Sequence, residues 1–224
     1  MTKSPSAPFI IAVDGPAASG KGTLARKLAT HYDFAYLDTG ALYRAVALGV
    51  NDAQGALENE DDAVRAAQNL DMARLQEADF AARLRTAQTG VAASIVAAMP
   101  PVRATILQAQ RQFAATPPQN KSGAVLDGRD IGTTICPAAP VKLFVTARSD
   151  IRARRRWKEL QAQNPSLAFE TVLADIEARD ARDAGRATAP MKQAQDAHLL
   201  DTSDLSIEEA FAAALALVET KLRP

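Results

Sequence analysis

Nine consecutive residues carry the clearest chemistry in this chain: Gly15, Pro16, Ala17, Ala18, Ser19, Gly20, Lys21, Gly22 and Thr23. Glycines let a backbone curl until successive N–H groups point inward, and a lysine adds a mobile cation; together they can cradle a polyphosphate. The run is close to the G-x-x-x-x-G-K-[ST] pattern, with Gly22 where the hydroxyl residue usually follows the lysine and Thr23 one place later. Such a loop binds a nucleoside triphosphate; it does not say what is done with it. Three aspartates, Asp14, Asp38 and Asp127, close short apolar runs. Asp127, followed by glycine, is the best candidate to stand beside a nucleotide's Mg²⁺, with Thr23 as its companion from the loop. Taken alone, Asp127 would read equally well as one half of an Asp-Gly turn. Asp130 could help the metal or receive a donor from a substrate, and Asp14 is expected to cap the loop or bond its backbone.

The arginines extend the argument. Phosphoryl transfer asks a protein mainly to position and neutralise phosphate oxygens, and the planar guanidinium fork grips them in pairs. Arg44 and Arg129 each follow one of the aspartate-ended runs. Arg152, Arg154, Arg155, Arg156 and Lys158 crowd a single predicted helix with no acid between them, and are expected to repel until an anion arrives. Arg179, Arg182 and Arg186 follow, interleaved with Asp175, Glu177, Asp180 and Asp183, so a salt-laced solvent face is the competing reading there. Two such helices between strands would make a mobile lid over the triphosphate that excludes water.

These groups need elements to hold them. Residues 9–14 read as a strand entering the glycine-rich turn, and Leu24, Ala25, Leu28 and Ala29 recur at helical spacing after it. Residues 34–38 read as a second strand running into a helix through about Val50. Residues 124–127, 141–145 and 199–202 complete a five-stranded set, and the alternation of strand and helix predicts an α/β fold with a parallel sheet. Between them, residues 51–117 are rich in Ala, Gln, Glu and Asp and are predicted to form an inserted subdomain. Within it, 58–70, 88–98 and 101–114 read as helices, and 72–75 and 82–85 as possible short strands. Ser206 and Glu209 form a capping box opening a last helix with Phe211, Leu215 and Val218 on one face. The expected organisation is a core of 9–50 and 118–222, with the lid at about 150–185 inside it.

Bulk properties narrow the field. The 224 residues are 47% hydrophobic, which suffices for a real core, and 26 basic residues balance 26 acidic ones. That balance argues against generic nucleic-acid or anionic-membrane binding. The single cysteine, Cys136, excludes an intrachain disulfide and reads as a packing residue. Residues 1–8 are polar, with no apolar core long enough for export, so no export signal is expected there, and no stretch has the length of a membrane span. The expectation is a cytoplasmic monomer acting on small molecules.

In order along the chain, residues 15–23, the Leu37-Asp38-Thr39-Gly40-Ala41-Leu42-Tyr43-Arg44 run, the Asp127-Gly128-Arg129-Asp130-Ile131-Gly132-Thr133 run and the Arg179-Asp180-Ala181-Arg182-Asp183 run resemble bacterial cytidylate kinases, a family of P-loop nucleoside monophosphate kinases. The resemblance covers roughly residues 9–50 and 88–222. It implies transfer of the terminal phosphate of ATP to CMP or dCMP, with Mg²⁺. It further implies that residues 15–23, with Arg152 and Arg155, hold ATP, and that Arg44 and Arg129 grip the acceptor phosphate. Thr39, Arg103, Asp130 and Arg186 would read the cytosine edge, and Ser94, Arg179 and Asp183 would contact the sugar. Lys21, Asp127, Arg129 and Arg179 would act on the migrating phosphoryl group. The family's insert usually carries a small antiparallel sheet with a Gly-Glu-Asp-Val-like turn, and residues 72–85 lack that turn.

Other classes fit less well. A kinase for UMP or a metabolite acid would not need the cytosine-reading set. A GTPase-like switch needs Asn-Lys-x-Asp, and Asn120-Lys121-Ser122-Gly123 lacks the acid. Nucleic-acid binding through the basic helix has only Trp157 and no net positive charge in its favour.

Overall fold

The computed structural model describes residues 7–162 and 164–222; the polar stretch 1–6 lies outside the described residues. The chain runs β1 (Phe9–Asp14), α1 (Lys21–Tyr32), β2 (Ala35–Asp38), α2 (Thr39–Asp52), α3 (Glu60–Gln68), α4 (Ala78–Leu84), α5 (Ala87–Val96), α6 (Pro100–Ala115), β3 (Gly123–Gly128), β4 (Val141–Thr146), α7 (Ser149–Gln161), α8 (Phe169–Ala184), β5 (His198–Asp201) and α9 (Ile207–Leu222). The five strands form one parallel sheet in the order β2-β3-β1-β4-β5. β1 and β3 lie inside the sheet, and their continuous apolar runs reflect burial on both faces. All six residues of β3 are buried.

Alternating residues divide two cores. Ile11, Val13, Val125 and Leu143 pack with Leu24 and Leu28 of α1 and with Ala214 and Val218 of α9. Ala12, Ala124 and Leu126 pack on the other face with Leu42 and Val46 of α2, Val96 of α5 and Ile106 of α6. Register puts the acids together: Asp38 stands opposite Asp127 across the β2–β3 pair, and Asp14 opposite Gly128 across β1–β3.

The insert differs from expectation. Residues 73–76 form a 3-10 turn and 78–84 are α4, where short strands at 72–75 and 82–85 were expected. Phe80 and Leu84, four apart, fall on one helical face and bury together against Ala45 and Leu48 of α2. The intervening Ala82 and Arg83 are exposed, so this spacing serves a helix and would not serve a two-faced strand. The predicted helix at 101–114 begins at Pro100, in the first turn, where a missing N–H costs nothing. The capping box forms as expected, with Ser206 N–H donating to Glu209 Oε2 at 2.8 Å and Glu209 N–H to Ser206 Oγ at 3.2 Å.

Candidate active site

The loop at the end of β1 is shaped by two glycines. Gly15 has φ 145°, and a Cβ there would lie 1.9 Å from the Val145 carbonyl oxygen, so only glycine lets the chain pass β4. Gly20 has φ 86° and turns the chain directly into α1. The positive end of α1 therefore opens from a loop in which Ala18 is also left-handed, at φ 57°. Lys21 Nζ donates to the Pro16 carbonyl at 3.2 Å and stands 3.9 Å from Asp127 Oδ1. Burial, with Arg129 adding its repulsion, pulls the Lys21 ammonium down to about 8. Ser19 is fully buried in the loop, with no partner for its hydroxyl among the described residues.

Asp127 sits in the same crowd. Its Oδ2 accepts from the Tyr36 hydroxyl at 3.2 Å. Burial raises its pKa, Lys21 works against that, and the Asp38 carboxylate adds to it. A Cβ on Gly22 would meet Asp127 Oδ2 at 2.9 Å, so a side chain at this position would press on that carboxylate. Thr23 itself is exposed on the first turn of α1.

The second half of the site is assembled from side chains. Asp38 caps α2 by accepting from Ala41 N–H at 3.1 Å and holds Arg44 at 2.5 Å. Thr39, buried, donates its hydroxyl to the Asp127 carbonyl at 2.8 Å. Arg103 on α6 pairs with Asp130 in a dry setting, each side chain under a tenth exposed, and its guanidinium lies 5.5 Å from the Tyr43 ring centre. Asp183 on α8 is 1% exposed and takes Arg129 Nε at 2.8 Å and Arg186 on its other oxygen. Burial would raise its carboxyl, but Arg129, Arg186 and Arg179 outweigh that and hold it below the ordinary carboxylate range. Burial, then the neighbouring Arg129, draw Arg179 down to about 10, and its Nε has no partner among the described residues. Arg179 reaches within 3.9 Å of where a Gly90 Cβ would be, next to the α5 helix that carries Ser94. Ser94 is buried and donates to the Val91 carbonyl at 2.8 Å.

The basic helix is corrected in one respect: Arg152, Arg155 and Arg156 already have partners within the protein. Arg152 is 5% exposed, pairs with Asp180 at 2.6 Å, and donates to the carbonyls of Ala147 and Ala17. Arg155 donates to Thr202 Oγ1 and its carbonyl, and Thr202 Oγ1 in turn donates to the Ser19 carbonyl at 2.8 Å. Arg156 pairs with Glu159 at 3.0 Å. Glu159 lies on the helix itself, whereas the partners of Arg152 and Arg155 come from other segments, which the helix's own sequence does not reveal. Asp14 also differs from expectation: its carboxylate receives the N–H groups of Ile131 and Gly132 at 2.7 and 2.8 Å. Tyr36, inside β2, and Thr202, just past the end of β5, make contacts that the sequence did not signal, although the strand-end place of Thr202 was an available hint.

A positive loop-and-helix cradle beside a buried Lys–Asp pair, faced with arginines and acids at the ends of a parallel sheet, defines a P-loop nucleotide phosphotransferase. The cytidylate kinase family model matches residues 11–220. A cytidylate kinase of Xanthobacter autotrophicus is 58% identical over 213 residues, spanning 95% of this chain and 98% of that protein. Those of Azorhizobium caulinodans, at 57% over 94% of this chain and 98% of that protein, and Caulobacter vibrioides, at 54% over 94% and 95%, are similar to it over the same extent. The chain belongs to the cytidylate kinase family.

Proposed function

We propose that this protein transfers the terminal phosphoryl group of ATP to CMP and dCMP, giving CDP and dCDP. The observation that carries the reading is the buried acid–arginine pair Asp130–Arg103, which offers a carboxylate and a guanidinium side by side. Cytosine presents an amino donor beside ring-nitrogen and carbonyl acceptors, and this pair complements both. Arg186 and Thr39 would complete the base contact, and Ser94, Arg179 and Asp183 the sugar contact. Arg44 and Arg129 would hold the acceptor phosphate.

The donor ATP would lie along residues 15–23, with Lys21 and Arg179 balancing charge on the migrating group and Arg155 closing over the loop. Arg152 would act by holding the loop's Ala17 carbonyl and Asp180 together. No general base is needed, because the accepting phosphate is already ionised near neutral pH. Asp127 suits Mg²⁺: among the described residues it is a buried carboxylate whose one hydrogen-bond donor is a tyrosine and whose nearest ion-pair partner is 3.9 Å away, leaving acceptor capacity on both oxygens. Thr23 would be its companion. The ion, when bound, neutralises charge on the donor phosphates.

We further propose a core of 9–50 and 118–222, an acceptor-side insert at 51–117 and a lid at about 150–185, working as a cytoplasmic monomer. Among the described residues no single helix is long and apolar enough to cross a membrane. The test is an acceptor screen with ATP and Mg²⁺. Turnover of CMP and dCMP far above UMP and AMP is expected; equal turnover of all four, or of none with ATP still bound, rejects the assignment.

A further inference from the structure

Asp14 is the last residue of β1 and is 5% exposed, yet no role in binding or transfer falls to it. Both of its oxygens are committed to the main chain 117 and 118 positions further on, at Ile131 and Gly132. Those two residues open the short turn Ile131–Ile135, whose first N–H groups have no partner within the turn. They also directly follow Arg129, which holds Asp183, and Asp130, which holds Arg103. The turn is packed closely on the sheet: a Cβ on Gly132 would lie 3.4 Å from Asp14 Oδ2 and 3.1 Å from Lys142 Cδ.

A carboxylate is an expensive residue for this place. Burial, opposed by the two N–H bonds, pushes its carboxyl up to about 7. A serine or threonine would cost far less to desolvate, but it has one oxygen and could not give each N–H an acceptor of its own.

We propose that Asp14 is a positioning residue that fixes the acceptor-reading pair Arg129–Asp130 against the strand carrying the phosphate-binding loop. It touches neither nucleotide. It sets the span between donor and acceptor, and misplacement of about 1 Å in such a span can cost about a hundredfold in rate.

The inference rests on the acceptor reading proposed above, so the experiment uses whichever monophosphate the wild type prefers; an acceptor other than CMP then sinks the substrate assignment alone. In Asp14→Asn the amide keeps one acceptor and turns a donor toward the second N–H. KM for the preferred monophosphate is expected to rise about tenfold, with its preference over the other pyrimidine monophosphate eroded, while ATP affinity stays within about twofold. Gly132→Ala, whose methyl would crowd Lys142 and the Asp14 carboxylate in the same turn, is expected to give the same acceptor-only signature and carries the test if Asp14→Asn does not fold. Val218→Ala, in the fully buried core between α1 and α9, serves as the destabilised control and should leave both KM values alone. An equal loss on donor and acceptor, an unchanged acceptor preference, or the same acceptor shift in Val218→Ala overturns the proposal.

Discussion

The donor and acceptor halves of this site are built by opposite means. Residues 15–23 make their cradle from backbone: glycine dihedrals, a helix start and one lysine that rests on the loop's own Pro16 carbonyl. The acceptor half is made of side chains that neutralise one another, Arg103 with Asp130 and Asp183 with Arg129 and Arg186. A backbone cradle tolerates many nucleotides, because N–H groups recognise phosphate alone. A lattice of paired side chains is selective, because a ligand must replace the partners it displaces. The expected division is that donor-side changes alter rate for every acceptor, whereas acceptor-side changes alter choice.

The largest effect is expected on the donor side. Lys21→Ala should lower kcat by at least about a hundredfold, equally for CMP and dCMP, since the lost charge acts on the migrating group. Steady-state rates with both acceptors check this, and a loss confined to one of them would break the division. Gly15→Ala places a methyl group against the Val145 carbonyl at a φ of 145°. Its cost should exceed about 3 kcal/mol, read by chemical denaturation.

Asp183→Asn sharpens the acceptor side. It leaves Arg129 and Arg186 with a neutral partner in a dry site and should cost about 3 kcal/mol. Because the folded protein holds the Asp183 carboxyl low, its contribution is fully present above the unfolded carboxylate value and is lost as pH falls through the lower folded value. The wild type's melting advantage over the variant should therefore be level near neutral pH and shrink in acid below about pH 4. An advantage that grows on acidification would contradict the assigned pairing. At the small end, Ser206→Ala removes a cap remote from both halves and should cost about 1 kcal/mol with turnover unchanged.

The same contrast decides what could be read in advance. Residues 15–23 announce themselves because the cradle is contiguous, with strand before and helix after. The parallel sheet followed from the apolar runs at β1, β3 and β4, and the capping box at Ser206 from spacing alone. The resemblance grouped Arg103 with Asp130, but the contacts that brace the site between distant segments stayed hidden. Asp14 meets Ile131 and Gly132 only because β1 and β3 are neighbours in the sheet, and Arg152 meets Asp180 only when α8 folds onto α7. Residues 72–85 misled for another reason: in so short a stretch the alternation of Ala, Arg and Leu suits a strand as well as a helix, and only the pocket on α2 that receives Phe80 and Leu84 decides.

The central claim is that choice of acceptor resides in the side-chain half. The most direct test is calorimetric titration of ATP and of CMP into wild type and Asp130→Ala. The account predicts ATP affinity within about twofold of wild type and CMP affinity weakened at least about tenfold. Parallel weakening of both nucleotides, or CMP bound as tightly as before, would contradict it.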